Sequence, residues 1–317
     1  MAILFTLQHA KGDLSLKRPL FISLCLLLTL VVSPNGISQP LQNFGDNPGQ
    51  LSGHLIKAER SGAPLVLILH GCEQDALQFA KHSGFAWLAA NKQFNLLLPQ
   101  QAKTNNIKRC FNWFSPQDTD KDSGEMLSLK NMLLHAQQQT QSTTTYIIGL
   151  SAGGAMASAM MIHYPEMFKS AAIIGGLAYP CADTLTKAIS CMRSGPAVSP
   201  KQLAQQVNAK GSVQWPSLSV WTGDNDEIVN PVNAQAITEQ WIALQQLSEP
   251  AKLTQSAGYR TQTWYQQDQP ALQLVRIENL GHGFPVKGDK PGGGTQDTYL
   301  LPSPISAAIA ITNFWQI

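Results

Sequence analysis

Short runs of consecutive apolar residues alternate along the chain with longer segments whose apolar residues recur at helical spacing. An unbroken apolar run predicts a strand buried on both faces, since such a strand has no polar side. We predict strands over residues 65–69, 95–98, 145–149, 171–174, 218–221 and 272–277. The segments with helical spacing predict helices over residues 75–91, 123–139, 152–163, 232–246 and 305–314.

Strands and helices in alternation predict an α/β fold, with a mostly parallel central sheet and helices on both faces. No internal repeat or low-complexity linker divides the chain after its N-terminal region. We therefore expect residues 39–317 to form one domain, a size that a single α/β core reaches.

An apolar run of another kind covers residues 20–32, directly after Lys17 and Arg18 and before a stretch of small and turn-forming residues. A basic flank, a short apolar core and small residues are typical of a secretory signal peptide, and a membrane span needs roughly 20 apolar residues. We predict a signal peptide over residues 1–38, cut after Ser38, and secretion to a periplasm or outside the cell. No stable membrane anchor then remains; an uncleaved anchor is the alternative.

Charge and composition limit the class of protein and the kinds of partner that the chain can have. The chain has 22 Lys+Arg against 20 Asp+Glu, and 44% of its residues are hydrophobic. The apolar content excludes a disordered chain, and the near-neutral balance gives no support to a nucleic-acid partner, which needs a basic stripe.

The five cysteines become an even number once the predicted signal peptide, with Cys25, is removed. The four that remain are Cys72, Cys110, Cys181 and Cys191. In an oxidising compartment they predict two disulfides, and Cys181–Cys191 would close a short local loop. The sequence leaves three pairings open, with buried free thiols as the alternative.

The sharpest chemical motif is Gly149-Leu150-Ser151-Ala152-Gly153, between a predicted strand and a helix of small residues. In that context G-x-S-x-G forms a tight turn that holds the serine hydroxyl at the carboxyl edge of the sheet. We expect Ser151 to be a nucleophile. A glycine-rich turn with a solvated serine is the alternative.

A serine nucleophile needs a base, and the base needs an acid that orients it. Asp226 lies in an acidic loop after the strand at 218–221 and is the predicted acid, with Asp224 and Glu227 as alternatives. His282 lies between two glycines after the strand at 272–277 and is the predicted base. The order Ser, Asp, His is that of the α/β-hydrolases.

The oxyanion formed by attack on a carbonyl needs two backbone donors. One is expected to be the N–H of Ala152, which follows the nucleophile. The other is expected from the loop His70-Gly71-Cys72 after the first core strand, and we assign it to Cys72.

Together these segments resemble the esterase/poly(3-hydroxybutyrate) depolymerase family of α/β-hydrolases, over nearly all of residues 43–317. The segments that carry the resemblance are Asn43-Phe44-Gly45-Asp46-Asn47-Pro48-Gly49, Leu69-His70-Gly71-Cys72-Glu73-Gln74-Asp75-Ala76, Cys110-Phe111-Asn112-Trp113-Phe114 with Gly124-Glu125, Gly149-Leu150-Ser151-Ala152-Gly153-Gly154-Ala155-Met156, Thr222-Gly223-Asp224-Asn225-Asp226 with Val229-Asn230-Pro231, and Gly281-His282-Gly283.

The resemblance implies a triad of Ser151, Asp226 and His282. It also implies a Cys72–Cys110 disulfide beside the site, which leaves Cys181–Cys191 as the second pair. We expect no metal and no cofactor, because the histidines lack the spacing of a zinc site, and we expect no separate substrate-binding domain. Trp113, Phe114 and Phe284 are candidates to line an acyl pocket, although aromatic side chains more often serve packing alone.

The function expected is a secreted serine esterase acting on poly- or oligo(3-hydroxybutyrate)-type esters, whether polymer, oligomer or small ester. A feruloyl or acetyl polysaccharide esterase of the same fold is the first alternative. A serine peptidase and a catalytically silent binding module are the others.

Overall fold

A ten-stranded sheet forms the centre of the computed structural model, which describes residues 38–207, 213–248 and 251–317. Residues 1–37 of the predicted signal peptide lie outside the described residues. The strands are β1 (Ser38–Pro40), β2 (Ser52–Ile56), β3 (Leu65–Leu69), β4 (Asn95–Gln100), β5 (Thr145–Leu150), β6 (Ser170–Ile174), β7 (Ser217–Gly223), β8 (Lys252–Ser256), β9 (Tyr259–Gln266) and β10 (Gln269–Ile277).

The strand order is β1-β2-β4-β3-β5-β6-β7-β10-β9-β8. The strands from β4 to β10 in this order pair in parallel, and the pairs at both margins of the sheet are antiparallel. A separate parallel pair joins β11 (Phe284–Val286) to β12 (Leu300–Pro302).

Helices cover both faces of this sheet. They are α1 (Ala76–His82), α2 (Phe85–Lys92), α3 (Pro116–Thr119), α4 (Gly124–Thr140), α5 (Ala152–His163), α6 (Leu185–Ser194), α7 (Pro200–Val207), α8 (Val232–Gln245) and α9 (Ala307–Trp315), with a 3₁₀ turn at Pro165–Met167. Strand β3 shows the two layers directly, because Leu67 packs into the core with α4, α5 and α8 while Val66 and Ile68 pack into the core with α1, α2 and α9. The predicted α/β class is confirmed.

The six predicted strands correspond to β3–β7 and β10, but the single helix predicted over residues 75–91 is wrong. Gly84, with φ of +95°, separates α1 from α2. A Cβ at Gly84 would lie 2.2 Å from the carbonyl oxygen of Gly292, so a distant loop passes directly over the break. The helical spacing of apolar residues continues across this glycine because both short helices pack their apolar residues into the same hydrophobic core.

The antiparallel strands at the margins are also missing from the prediction. Strand β8 has four exposed residues in five, and β9 is half-buried over its first four residues. Helices α6 and α7 are likewise unpredicted. Within the ranges that the structure describes, no helix is both long and apolar enough to cross a membrane.

Candidate active site

The predicted site residues gather at one edge of the sheet, where the parallel strands end. Ser151 directly follows β5, and the Cys72 loop follows β3. Asp226 and His282 lie on the loops after β7 and β10. Ligand sites of open α/β sheets form at this carboxyl edge, because the loops from neighbouring strands converge there.

Ser151 occupies a sharp turn between β5 and α5, with φ of +55° and ψ of −120°. Its N–H donates to the carbonyl oxygen of Ile174 at 2.9 Å, which ties the turn to β6. A Cβ at Gly149 would lie 2.1 Å from the carbonyl oxygen of Gly153, and a Cβ at Gly153 would lie 2.3 Å from that of Leu69. Both glycines of the motif are therefore required by close backbone contacts.

The imidazole of His282 is oriented by Asp226. Nδ1 of His282 lies 2.7 Å from Oδ2 of Asp226, and both side chains are almost fully buried. Oδ1 of Asp226 accepts hydrogen bonds from the N–H groups of Ile228 at 3.0 Å and Val229 at 2.8 Å. These bonds hold the carboxylate in place, as the predicted orienting role requires.

The two alternative acids, Asp224 and Glu227, do not contact the imidazole of His282. Oδ1 of Asp224 accepts from Nε of Arg276 at 2.8 Å and pairs with its Nη2 at 2.7 Å, while Arg260 lies 3.3 Å from Oδ2. Glu227 is exposed. Of the three candidates, Asp226 is the carboxylate that the structure brings to the imidazole.

Gly175 places the His282–Asp226 pair next to the Ser151 turn. It follows β6, and a Cβ there would lie 3.1 Å from Cε1 of His282 and 3.5 Å from Oδ2 of Asp226. Among the described residues, no hydrogen bond joins Ser151 Oγ to the imidazole. In ligand-free hydrolases that hydrogen bond commonly tightens only when substrate binds.

The loop after β3 is shaped by His70, which is fully buried. Nδ1 of His70 lies 2.6 Å from the carbonyl oxygen of Gly71, and Nε2 accepts the N–H of Gln101 at 3.2 Å. Burial lowers the pKa of His70 to about 4, so the imidazole is neutral near pH 7. Its two contacts hold the loop in place. The packing of Gly153 on Leu69 brings this loop beside the start of α5.

The N–H groups of Cys72 and Ala152 are the predicted oxyanion donors. Ala152 is the first residue of α5, and a helix leaves its first amides without intrahelical partners. Within the described part of the chain, neither N–H has a hydrogen-bond acceptor. A disulfide joins Cys72 to Cys110, and a second one joins Cys181 to Cys191.

Glu125 has a buried carboxyl group for which the sequence suggested no role. Oε1 accepts hydrogen bonds from the side-chain amides of Gln101 and Asn112, and Oε2 accepts the N–H of Asn112 at 2.9 Å. Burial raises the pKa of Glu125 to about 8, although the hydrogen bonds from Asn112 and Gln101 oppose the rise. Glu125 thereby connects the loop after β4 to the segment that carries Cys110.

The expectation that Phe284 lines an acyl pocket is wrong. Phe284 has no exposed surface, and its ring packs edge-on against Phe79 at 5.5 Å and against Phe85 at 6.4 Å. Trp113 is 8% exposed and packs edge-on against the half-buried Phe114 at 5.6 Å. Phe284 belongs to the hydrophobic core that also contains residues of α1, α2 and α9.

The aromatic residue found beside the imidazole is Tyr299, which the sequence analysis missed. Its ring centroid lies 6.2 Å from that of His282.

Across the described residues, no three His, Cys, Asp or Glu side chains form a cluster that could hold a metal ion. The groups that the structure gathers at this edge are a serine, an imidazole–carboxylate pair and backbone amides.

The fold is that of an α/β-hydrolase, with a serine at the turn from strand to helix. The family model for esterase PHB depolymerases matches residues 56–263. The chain belongs to this family of carboxylic-ester hydrolases.

Individual relatives agree with that assignment. The chain is 32% identical over 323 residues to poly(3-hydroxyalkanoate) depolymerase C of Paucimonas lemoignei, covering 98% of this chain and 77% of that protein. It is 25% identical to feruloyl esterase B of Talaromyces stipitatus, covering 84% of this chain and 77% of that one. The structure of an acetyl xylan esterase from Aspergillus awamori has a TM-score of 0.71 at 21% identity and covers 78% of this chain and 94% of that chain.

Proposed function

We propose that this protein is an exported serine esterase that hydrolyses poly- or oligo(3-hydroxybutyrate)-type esters. The observation that carries the proposed mechanism is the His282–Asp226 pair, held against Gly175 beside the strained turn of Ser151. The relative named as a poly(3-hydroxyalkanoate) depolymerase supports the substrate class.

In the proposed mechanism, Nε2 of His282 takes the proton of Ser151 as its hydroxyl oxygen attacks the ester carbonyl. Asp226 holds the imidazole in the required tautomer and stabilises the imidazolium that forms. The same proton is then given to the leaving alcohol, and an acyl-enzyme on Ser151 remains. Water attacks this intermediate with His282 again acting as base, which releases the acid and restores the serine.

The tetrahedral oxyanion is proposed to bind the N–H groups of Cys72 and Ala152. Each such donor contributes roughly 3 kcal/mol to lowering the barrier, because it is already oriented before charge develops. The Cys72–Cys110 disulfide and the neutral imidazole of His70 restrain the loop that carries the first donor.

Export is proposed from the signal-like residues 1–38 together with two disulfides, which persist in oxidising compartments. Ser38 pairs with Ile56 in β1, so a cut after Ser38 would remove the first residue of that strand. N-terminal sequencing of the exported protein tests both the cut and its position.

A feruloyl or acetyl polysaccharide esterase is the second candidate function. It is favoured by the relatives of that name at 23–25% identity, which cover 77–84% of this chain. The same serine, histidine and aspartate would serve, and the acyl and alcohol portions of the substrate would differ.

Two experiments test the proposal. A fluorophosphonate probe should label the wild type and fail to label Ser151→Ala; equal labelling of both would overturn the assignment of the nucleophile, and no labelling of the wild type would favour a silent binding module. Products should then be analysed from amorphous polyhydroxybutyrate, its oligomers, feruloylated and acetylated xylan, and peptides. Turnover of xylan esters alone supports the second candidate, and turnover of peptides alone excludes an esterase.

A further inference from the structure

The ring of Tyr299 covers one side of the His282 imidazole. The two rings meet edge to face, with centroids 6.2 Å apart and planes at 74°. The carbonyl oxygen of Tyr299 accepts the N–H of Phe284 at 2.7 Å, and a Cβ at Gly283 would lie 2.7 Å from Cγ of Leu301. The segment around Tyr299 and the loop of His282 therefore pack as one unit.

Tyr299 occupies a backbone position that does not suit a tyrosine. Asp297 and Leu300 exchange two backbone hydrogen bonds, at 3.1 and 3.0 Å, across a tight turn. Tyr299 precedes Leu300 in this turn and has φ of +59°, a conformation that favours glycine or asparagine. Strained positions of this kind occur preferentially where a site needs the side chain.

The turn is also fixed from outside the histidine loop. The carboxylate of Asp297 pairs with Nδ1 of His82 at the end of α1, and it accepts the N–H of Thr298 at 2.7 Å. Thr295 donates its N–H to the carbonyl oxygen of His82 at 2.7 Å. These contacts hold the turn against α1 and so determine where the ring of Tyr299 lies.

The phenol of Tyr299 remains available for a ligand. The side chain is half-buried, and its hydroxyl has no hydrogen-bond partner among the described residues.

We propose that Tyr299 contacts the alcohol portion of the ester substrate: its ring forms a wall beside the leaving group, and its hydroxyl donates a hydrogen bond to an oxygen of that group. This inference rests on the proposed function. The imidazole gives its proton to the leaving alcohol, so a side chain packed against the imidazole lies on the alcohol's side. The ligand class is an ester whose alcohol portion carries an acceptor oxygen, as a second hydroxyalkanoate unit or a sugar does.

The hydroxyl is tested with Tyr299→Phe and two substrates that share one acyl group. These are the methyl-capped dimer of 3-hydroxybutyrate, with acceptor oxygens in its alcohol portion, and ethyl 3-hydroxybutyrate, with none there. We expect kcat/KM for the dimer to fall about fivefold, the effect of one lost hydrogen bond, and kcat/KM for the ethyl ester to stay within about twofold. Equal effects on both substrates, including no effect on either, overturn the proposed hydrogen bond.

The ring is tested with Tyr299→Gly and Tyr299→Ala. Both variants remove the side chain, but glycine also adopts the positive φ of this position without strain. The unfolding temperature of Tyr299→Gly should therefore exceed that of Tyr299→Ala. We expect both to lose roughly tenfold in kcat/KM for the dimer despite this difference. If activity instead follows the unfolding temperature and returns in the glycine variant, Tyr299 has only a structural role.

Failure of this inference differs from failure of the proposed function. A wild type that the fluorophosphonate probe does not label at Ser151 contradicts the proposed function itself. A labelled and active wild type, with unchanged kinetics in Tyr299→Phe, Tyr299→Ala and Tyr299→Gly, contradicts only the role of Tyr299.

Discussion

Nδ1 of His282 lies 2.7 Å from Oδ2 of Asp226, and the other oxygen of that carboxylate accepts two backbone N–H groups. One carboxylate oxygen therefore accepts two backbone hydrogen bonds, and the other oxygen contacts the imidazole. Asp224, two residues earlier, is bound instead to Arg276 and Arg260. Neighbouring carboxylates in one loop therefore have separate partners, which makes a matched pair of variants possible.

Asp226→Asn should lower kcat by roughly 10³- to 10⁴-fold, because an amide no longer selects the imidazole tautomer that can accept the serine proton. Asp224→Asn is the control, since it removes a charge from the same loop without touching the imidazole. The measurement is steady-state hydrolysis of a p-nitrophenyl ester. Similar losses in both variants would contradict the assignment of Asp226.

Gly175→Ala should lower kcat by at least about tenfold while the protein remains folded. The added methyl would lie 3.1 Å from Cε1 of His282 and displace the ring from the Ser151 side. Gly62→Ala is the control, because Gly62 also has a positive φ, +70°, yet its Cβ would meet nothing nearer than 3.7 Å. Both should lose about 1 kcal/mol of stability from the backbone alone. An active Gly175→Ala variant would show that this contact does not position the imidazole.

Glu125 should make the free energy of unfolding depend on pH. Its pKa is raised by burial from 4.5 to about 8 in the folded protein, so the fold favours the protonated carboxyl. The stabilisation is complete below pH 4.5 and is lost as pH rises toward 8, by up to about 5 kcal/mol. Glu125→Gln should lack this slope in urea unfolding measured between pH 4 and 9. Parallel pH profiles for the two proteins would contradict the raised pKa.

The two disulfides should differ in their effect on activity. The chain-entropy model gives each a few kcal/mol of stabilisation, about 4 for the Cys72–Cys110 separation of 38 residues and about 3 for the Cys181–Cys191 separation of 10. Only the first holds the loop with a proposed oxyanion donor. Replacing Cys72 and Cys110 by serine should therefore lower kcat at temperatures where both variants are folded.

Replacing Cys181 and Cys191 by serine is the control for that comparison. Its unfolding temperature should fall by a similar amount while kcat changes little. Circular dichroism gives the folded fraction, and initial rates on a soluble ester give kcat. A larger loss of kcat in this control would place the more important restraint on the loop before α6.

The strand–helix alternation and the loops that carry Ser151, His282 and the acidic residues could be predicted, because each is a local pattern. Buried parallel strands are apolar throughout, and the strand-to-helix turn needs its glycines within a few residues of the serine. The exposed β8 and the partly buried β9 have neither feature, because an antiparallel strand at the margin of a sheet can carry polar residues along much of its length. The break at Gly84 was missed because its cause is a loop two hundred residues away in the sequence.

Sequence alone determined the α/β class, the family resemblance and the candidate residues Ser151, Asp226 and His282. The tertiary structure alone showed which of three neighbouring carboxylates meets the imidazole, that Phe284 is buried in the core, and that Tyr299 lies against His282 instead. The physical reason is the separation of the contacts along the sequence. A local pattern shows which residues directly follow a strand and so lie at the edge of the sheet. Contacts such as those of Gly175 and Tyr299 join loops from different strands, and only the packed sheet brings those loops together.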